Sequence, residues 1–183
     1  MFPIAVTIVS ATATLTTPVP PMPPMVVHQV VSPTGAQGIK FGLVMPTTGA
    51  VPLPRLAIQL TSDFNTTLTP GPGVPGDSLY YAGACPWLVA AGWACASLDL
   101  PSHGANLLSG EPTGIAGWRW RVDRGIDFIG NSSGNIDLMV DFLVRNKLAN
   151  GTSLALMGIS RGVGGCNGPT IIIMERRMLN SDP

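Results

Sequence analysis

Two short apolar runs constrain most strongly what this chain can fold into. ACASLDLP (94–101) and TSLALMG (152–158) are small, apolar and strand-like. The stretches between them, GWRWRVDRGIDFIGN (117–131) and GNIDLMVDFLVRNKLANG (134–151), carry apolar residues at helical spacing. Strand, helical segment and strand in this order read as a βαβ unit, with the two strands parallel and the helix packed across one face. A strand covered on both faces shows a continuous apolar run rather than alternation, and both runs have that character.

The same grammar extends upstream. RLAIQLT (55–61), bounded by prolines, is a third short buried strand. DSLYYAGACPWLVAAGW (77–93) separates it from 94–101 as a helix, with Asp77 as a cap, Gly92 as the stop, and Pro86 as a kink or a late start. MVVHQVV (25–31) and GIKFGLVMP (38–46), joined through Ser32-Pro33-Thr34-Gly35, form an antiparallel hairpin. In the last helical stretch Ile136, Val140 and Leu143 share a face, Asn135 is the expected N-cap, and Asn150-Gly151 the expected stop. SDFNTTLTPGPGVPG (62–76) reads as one long polar loop. The expected fold is therefore α/β: an N-terminal hairpin, then a largely parallel sheet with flanking helices.

Composition agrees with a sheet buried on both faces. Charged residues are 11% of the 183, against about 25% in an average soluble domain. The formal net charge is +0, so nothing steers the chain toward nucleic acid or an anionic membrane. No run approaches the ~20 apolar residues of a membrane span. Residues 1–24 read as a disordered Thr/Pro-rich leader, because Pro18, Pro20, Pro21, Pro23 and Pro24 exclude helix or central strand there. Phe2 to Val9 and the Ala11-Thr12-Ala13 triplet resemble a secretory signal. No Lys or Arg precedes Lys40, however, and a cytoplasmic chain is the expectation, with secretion as the alternative. Cys85, Cys95 and Cys166 have no metal-type spacing and read as small buried hydrophobes. No metal or cofactor is expected. Trp118, Trp120, Arg119, Arg121 and Arg124 form a structural helix face, with Asp123 and Asp127 as charge partners.

Chemistry enters at GISRG (158–162). Gly-x-Ser-x-Gly after a buried strand suits a sharp strand-to-helix turn that exposes a serine, here Ser160. One strand earlier, LDLPSHG (98–104) also follows a strand end, and in doubly wound sheets such ends open onto one crevice. These two motifs, on these elements and in this order, resemble the α/β-hydrolase superfamily, in the style of its single-domain esterases, peptidase-like members and dienelactone hydrolase relatives. The similarity runs over about 26–162.

The resemblance implies Ser160 as nucleophile and the backbone N–H of Arg161 as one oxyanion donor. It places a second donor after the strand at 55–61, at Thr61 or Ser62, although QLTSDFN stands where the family carries His-Gly. It makes His103 a structural turn residue and Asp99 a residue that orders the loop after it. Substrates would be esters or small acyl compounds. The family places its acid and histidine downstream of the serine. Here only Glu175 and Asp182 are downstream acids, and His28 and His103 both precede Ser160. After Ser160, Gly164, Gly165, Gly168 and Pro169 oppose the helix that an elbow continues into. The expectation is a partial hydrolase domain at 25–162 with a divergent tail at 163–183, truncated after the elbow and weak or inactive. The alternative is a non-catalytic homologue that serves as a scaffold or interaction fragment. TIIIM (170–174) is left as an edge strand or an aggregation-prone tail.

Overall fold

A computed structural model describes residues 6–9, 20–31, 38–47, 53–69, 83–158 and 170–174. Seven strands form one sheet: β1 (Val6–Val9), β2 (Val26–Val30), β3 (Ile39–Val44), β4 (Arg55–Leu60), β5 (Ala94–Leu98), β6 (Asn150–Gly158) and β7 (Thr170–Met174), in the order β1-β7-β6-β4-β5-β3-β2. β4 runs parallel to both β5 and β6. The pairs β2–β3, β3–β5, β6–β7 and β1–β7 are antiparallel. The sheet is thus mixed, with a parallel centre and antiparallel flanks, and the chain has an α/β fold. The expected hairpin is present, with Val26 opposite Leu43 and Val30 opposite Ile39.

Two helical layers cover the sheet. Alternation along the strands sends Phe41, Leu43, Leu56, Ile58, Ala96 and Leu98 to one face, where Met139, Val140 and Leu143 of helix α4 (Phe128–Arg145) close the larger core. The opposite set, Val44, Ala57, Cys95, Ala155 and Met157, packs beneath α1 (Phe64–Leu68) and α2 (Cys85–Ala90) through Leu68, Cys85 and Val89. α3 (Ile115–Val122) lies between β5 and α4 in sequence.

Several boundaries differ from the sequence reading, each for a physical reason. The polar stretch at 62–76 contains α1, because Asp63 accepts from Thr66 N at 2.9 Å and satisfies its first turn. α2 takes the late start, with Pro86 in the first turn, where a missing N–H costs nothing. It ends as expected at Gly92, whose φ of +85° allows Gly92 N to reach Val89 O and Trp93 N to reach Leu88 O. Asp77 lies outside the described residues. α4 begins before Asn135, because Asp127 caps it by accepting from Gly130 N at 2.8 Å. It also ends before Asn150: Lys147 N bonds Val144 O and Leu148 N bonds Leu143 O, with Lys147 at φ 56° in the place glycine usually takes. Asn150 instead opens β6.

Three further readings are corrected by pairing. Val6–Val9, inside the stretch read as a disordered leader, is a strand against β7; its β-branched VTIV precedes the proline cluster. β7 is an interior strand, between β6 and β1. Cys85 and Cys95 are buried as expected, but they are bonded to each other, with Cα atoms 5.9 Å apart, joining α2 to β5. Among the described residues no helix is long and apolar enough to cross a membrane.

Candidate active site

The parallel strands β4, β5 and β6 all end on one rim of the sheet, so the segments that follow them are neighbours. β6 ends at Gly158, the first residue of the Gly-x-Ser-x-Gly pattern, and Gly158 pairs with Leu60, the last residue of β4. The pattern therefore starts beside the turn that contains Thr61 and Ser62. Ser160 and Arg161 lie outside the described residues.

Thr61 is buried, and its hydroxyl is engaged with Thr67 Oγ1 at 2.5 Å; Thr67 Oγ1 also donates to Asp63 O at 2.7 Å. The Thr61 side chain is thus turned into α1, which leaves its backbone as the part that can serve a ligand. Ser62 is half-buried, and its carbonyl accepts from Leu100 N at 2.8 Å. That bond fastens the turn after β4 to the end of β5.

The loop after β5 is built around two buried acids. Asp99 accepts from Phe64 N at 3.1 Å and from Ala105 N at 2.6 Å, and its own carbonyl accepts from Asn106 Nδ2 at 2.6 Å. Burial pushes the Asp99 carboxyl up, and the two N–H bonds oppose that shift. Glu111 accepts from Ser102 Oγ at 2.6 Å, from Leu108 N at 2.7 Å, and from Arg121 Nε and Nη2 at 2.5 and 2.9 Å. Arg121 Nη2 also donates to Asn106 O. These bonds hold Ser102 in its left-handed conformation, φ 65°, and Trp118 Nε1 ties α3 to Pro101 O at 2.9 Å.

Asp123 serves as the charge partner that the sequence reading gave to the basic residues in and after α3. Arg119 pairs with Asp123 at 2.8 Å, and Arg124 lies 3.9 Å over the Trp120 ring. Arg121 differs, because it turns inward to Glu111. Ten residues separate the two, outside any helical or strand period, so no local pattern links them.

Both histidines are described. His28 stacks on Phe41 with centroids 5.2 Å apart and lies on β2. Four strand spacings of ~4.8 Å put β2 about 19 Å from β6, which excludes His28 from the chemistry of the rim. His103 follows β5, two spacings or about 10 Å from β6. Its ring Nδ1 lies 2.9 Å from Pro101 O. Among the described residues no group of three or more His, Cys, Asp or Glu could hold a metal ion. A cavity of about 210 Å³ opens between β3, the end of β5 and α4, lined in part by Gln29, Lys40, Asp99, Asn106 and Asn135.

Gln59 is the unexpected member of this region. It is 1% exposed, and neither its amide nitrogen nor its oxygen has a hydrogen-bond partner among the described residues. The amide lies so close to Gly83 that a Cβ there would sit 2.6 Å from Oε1. An unpaired buried amide costs about 1–3 kcal/mol, and methionine has nearly the same volume without polar atoms. Gln59→Met should therefore raise stability by about that amount, read as a higher urea midpoint. A lower midpoint would show that the amide is paired in solution.

No protein-family model matches the chain, and no curated protein matches it. Among solved structures the chain is similar to esterases and peptidases. One is a Bacteroides fragilis protein assigned as an acetyl xylan esterase: 15% identity, TM-score 0.47, covering 79% of this chain and 44% of that one. Another is a CE15 glucuronoyl esterase from Teredinibacter turnerae: 14% identity, TM-score 0.39, covering 86% and 40%. A third is the isopeptidase AtxE2: 16% identity, TM-score 0.42, covering 77% and 20%. The chain spans less than half the length of each of these structures.

Proposed function

We propose that this chain is a serine hydrolase-like protein that acts on an ester or small acyl substrate through Ser160. The observation that carries the reading is the pairing of Gly158 with Leu60. It starts a Gly-x-Ser-x-Gly pattern at the C-terminal end of a central parallel strand, beside the turn expected to donate to an oxyanion. In this reading the Ser160 hydroxyl attacks the carbonyl carbon and the leaving alcohol or amine departs. The resulting acyl-enzyme is then hydrolysed. The N–H of Arg161 and one N–H of the Thr61–Ser62 turn take the charge that develops on the carbonyl oxygen.

His28 is fixed in an aromatic cluster remote from β6, and His103 would have to act across the width of β4. That placement favours weak catalysis from these residues, and it supports a non-catalytic binding role as the second reading.

A fluorophosphonate probe separates the two readings. Labelling of the intact chain that Ser160→Ala abolishes is the expected result. A folded chain that never labels would leave the non-catalytic role.

A further inference from the structure

We propose that Asp99 is a positioning residue for the turn 61–63, locking it against the loop that follows β5. This inference rests on the hydrolase reading and extends it to a residue that touches no substrate. Asp99 is 4% exposed, and its two oxygens serve two different loops. Oδ1 takes the N–H of Phe64, the first residue of α1, at 3.1 Å; Oδ2 takes the N–H of Ala105 at 2.6 Å. The first turn of α1 thus has two carboxylate anchors, since Asp63 takes the N–H of Thr66. The turn 61–63 is consequently held at both ends. Leu60 is fixed by pairing with Gly158, and Phe64 is fixed by Asp99. Between them, the Leu100 N–H to Ser62 O bond adds a third tie.

The loop after β5 is shaped to admit this carboxylate. Gly104 has φ +49°, and a Cβ there would sit 2.5 Å from Asp99 Cγ. Only a residue without a side chain lets the loop close around Asp99 while Ala105 donates to it. An oxyanion donor accelerates acyl transfer only when its direction is set before the reaction begins. Asp99 supplies that constraint to the turn through Phe64.

The test is Asp99→Asn in the full chain, compared with the unsubstituted protein. The new NH2 group cannot accept, so one of the two N–H groups must lose its partner. Amide hydrogen exchange should become about tenfold faster at Phe64 or Ala105. Probe labelling of Ser160 should show kinact about tenfold lower with KI unchanged, because only the developing oxyanion depends on the turn. Faster exchange with unchanged kinact would reduce Asp99 to a structural role and overturn the proposal. Unchanged exchange at both amides would overturn it as well. An unsubstituted chain that never labels would overturn the hydrolase reading, and the positioning role with it. If the variant fails to fold, the unsubstituted protein still decides. Amide shifts of Phe64 and Ala105 should titrate with one shared midpoint, that of the carboxylate both donate to. Separate midpoints would overturn the shared carboxylate.

Discussion

Arg121→Met should lower the stability of this protein by about 3–5 kcal/mol at neutral pH, the cost of leaving a buried carboxylate without its counter-charge. The Glu111 side chain is 0% exposed and that of Arg121 only 8%. Both guanidinium contacts to Glu111 and the one to Asn106 O are lost at once, and methionine fills the space without replacing any of them. That is a large share of the 5–15 kcal/mol typical of a folded domain. The pH dependence gives the prediction its sign. The Arg121 guanidinium, helped by Ser102 and Leu108, holds the Glu111 carboxyl down from 4.5 to about 2. A depressed carboxyl contributes stability that is fully present above 4.5 and is lost as the pH falls toward 2. Without Arg121, burial opposes the remaining Ser102 and Leu108 bonds, so the variant has less of this contribution to lose on acidification. The gap between the two proteins should be widest near pH 7 and narrow below 4.5. Urea unfolding across this range measures it. A gap that does not change with pH would show that the Arg121–Glu111 pair is not what the substitution removed.

Phe41→Ala is expected to cost a similar ~3–5 kcal/mol, from lost burial and the cavity left behind. Phe41 is 0% exposed on β3, stacked on His28 and edge-on to Phe142 at 5.8 Å. It therefore joins the edge of the sheet to α4, and neighbours held by strand pairing cannot fully collapse into its space. Burial pushes the His28 imidazole below its ordinary value. The folded state thus favours neutral His28, and stability should fall as the pH drops through the usual histidine range, then level off. With Phe41 truncated, His28 gains water and that loss should shrink. Chemical denaturation at pH 8 and pH 5, with His28→Gln as the control, reads both effects. A change below about 1 kcal/mol would contradict the packing around Phe41.

The candidate site was legible in part. GISRG and LDLPSHG marked the two strand ends, and Thr61 and Ser62 do lie beside the start of the Gly-x-Ser-x-Gly pattern. Gln59 and Glu111 carried no signal, since neither sits in a motif or at a helical spacing from its neighbours. Asp99 was legible as a strand-ending acid, but its bond to Phe64 joins residues 35 apart and belongs to no local pattern.

What the sequence by itself determined is the set of central elements. Short apolar runs marked β2 to β6, and Gly92 marked the end of α2, because side-chain alternation and backbone freedom act over a few residues. What only the tertiary structure decided is how distant pieces meet. It set the antiparallel pairing of β5 with β3 and of β7 with β6 and β1, the placing of Cys85 against Cys95, the capping of α4 by Asp127, and the burial of Arg121 on Glu111. The reason is physical. A buried charge or a strand edge is satisfied by whichever group the fold brings within about 3 Å, and chain separation places no constraint on that choice.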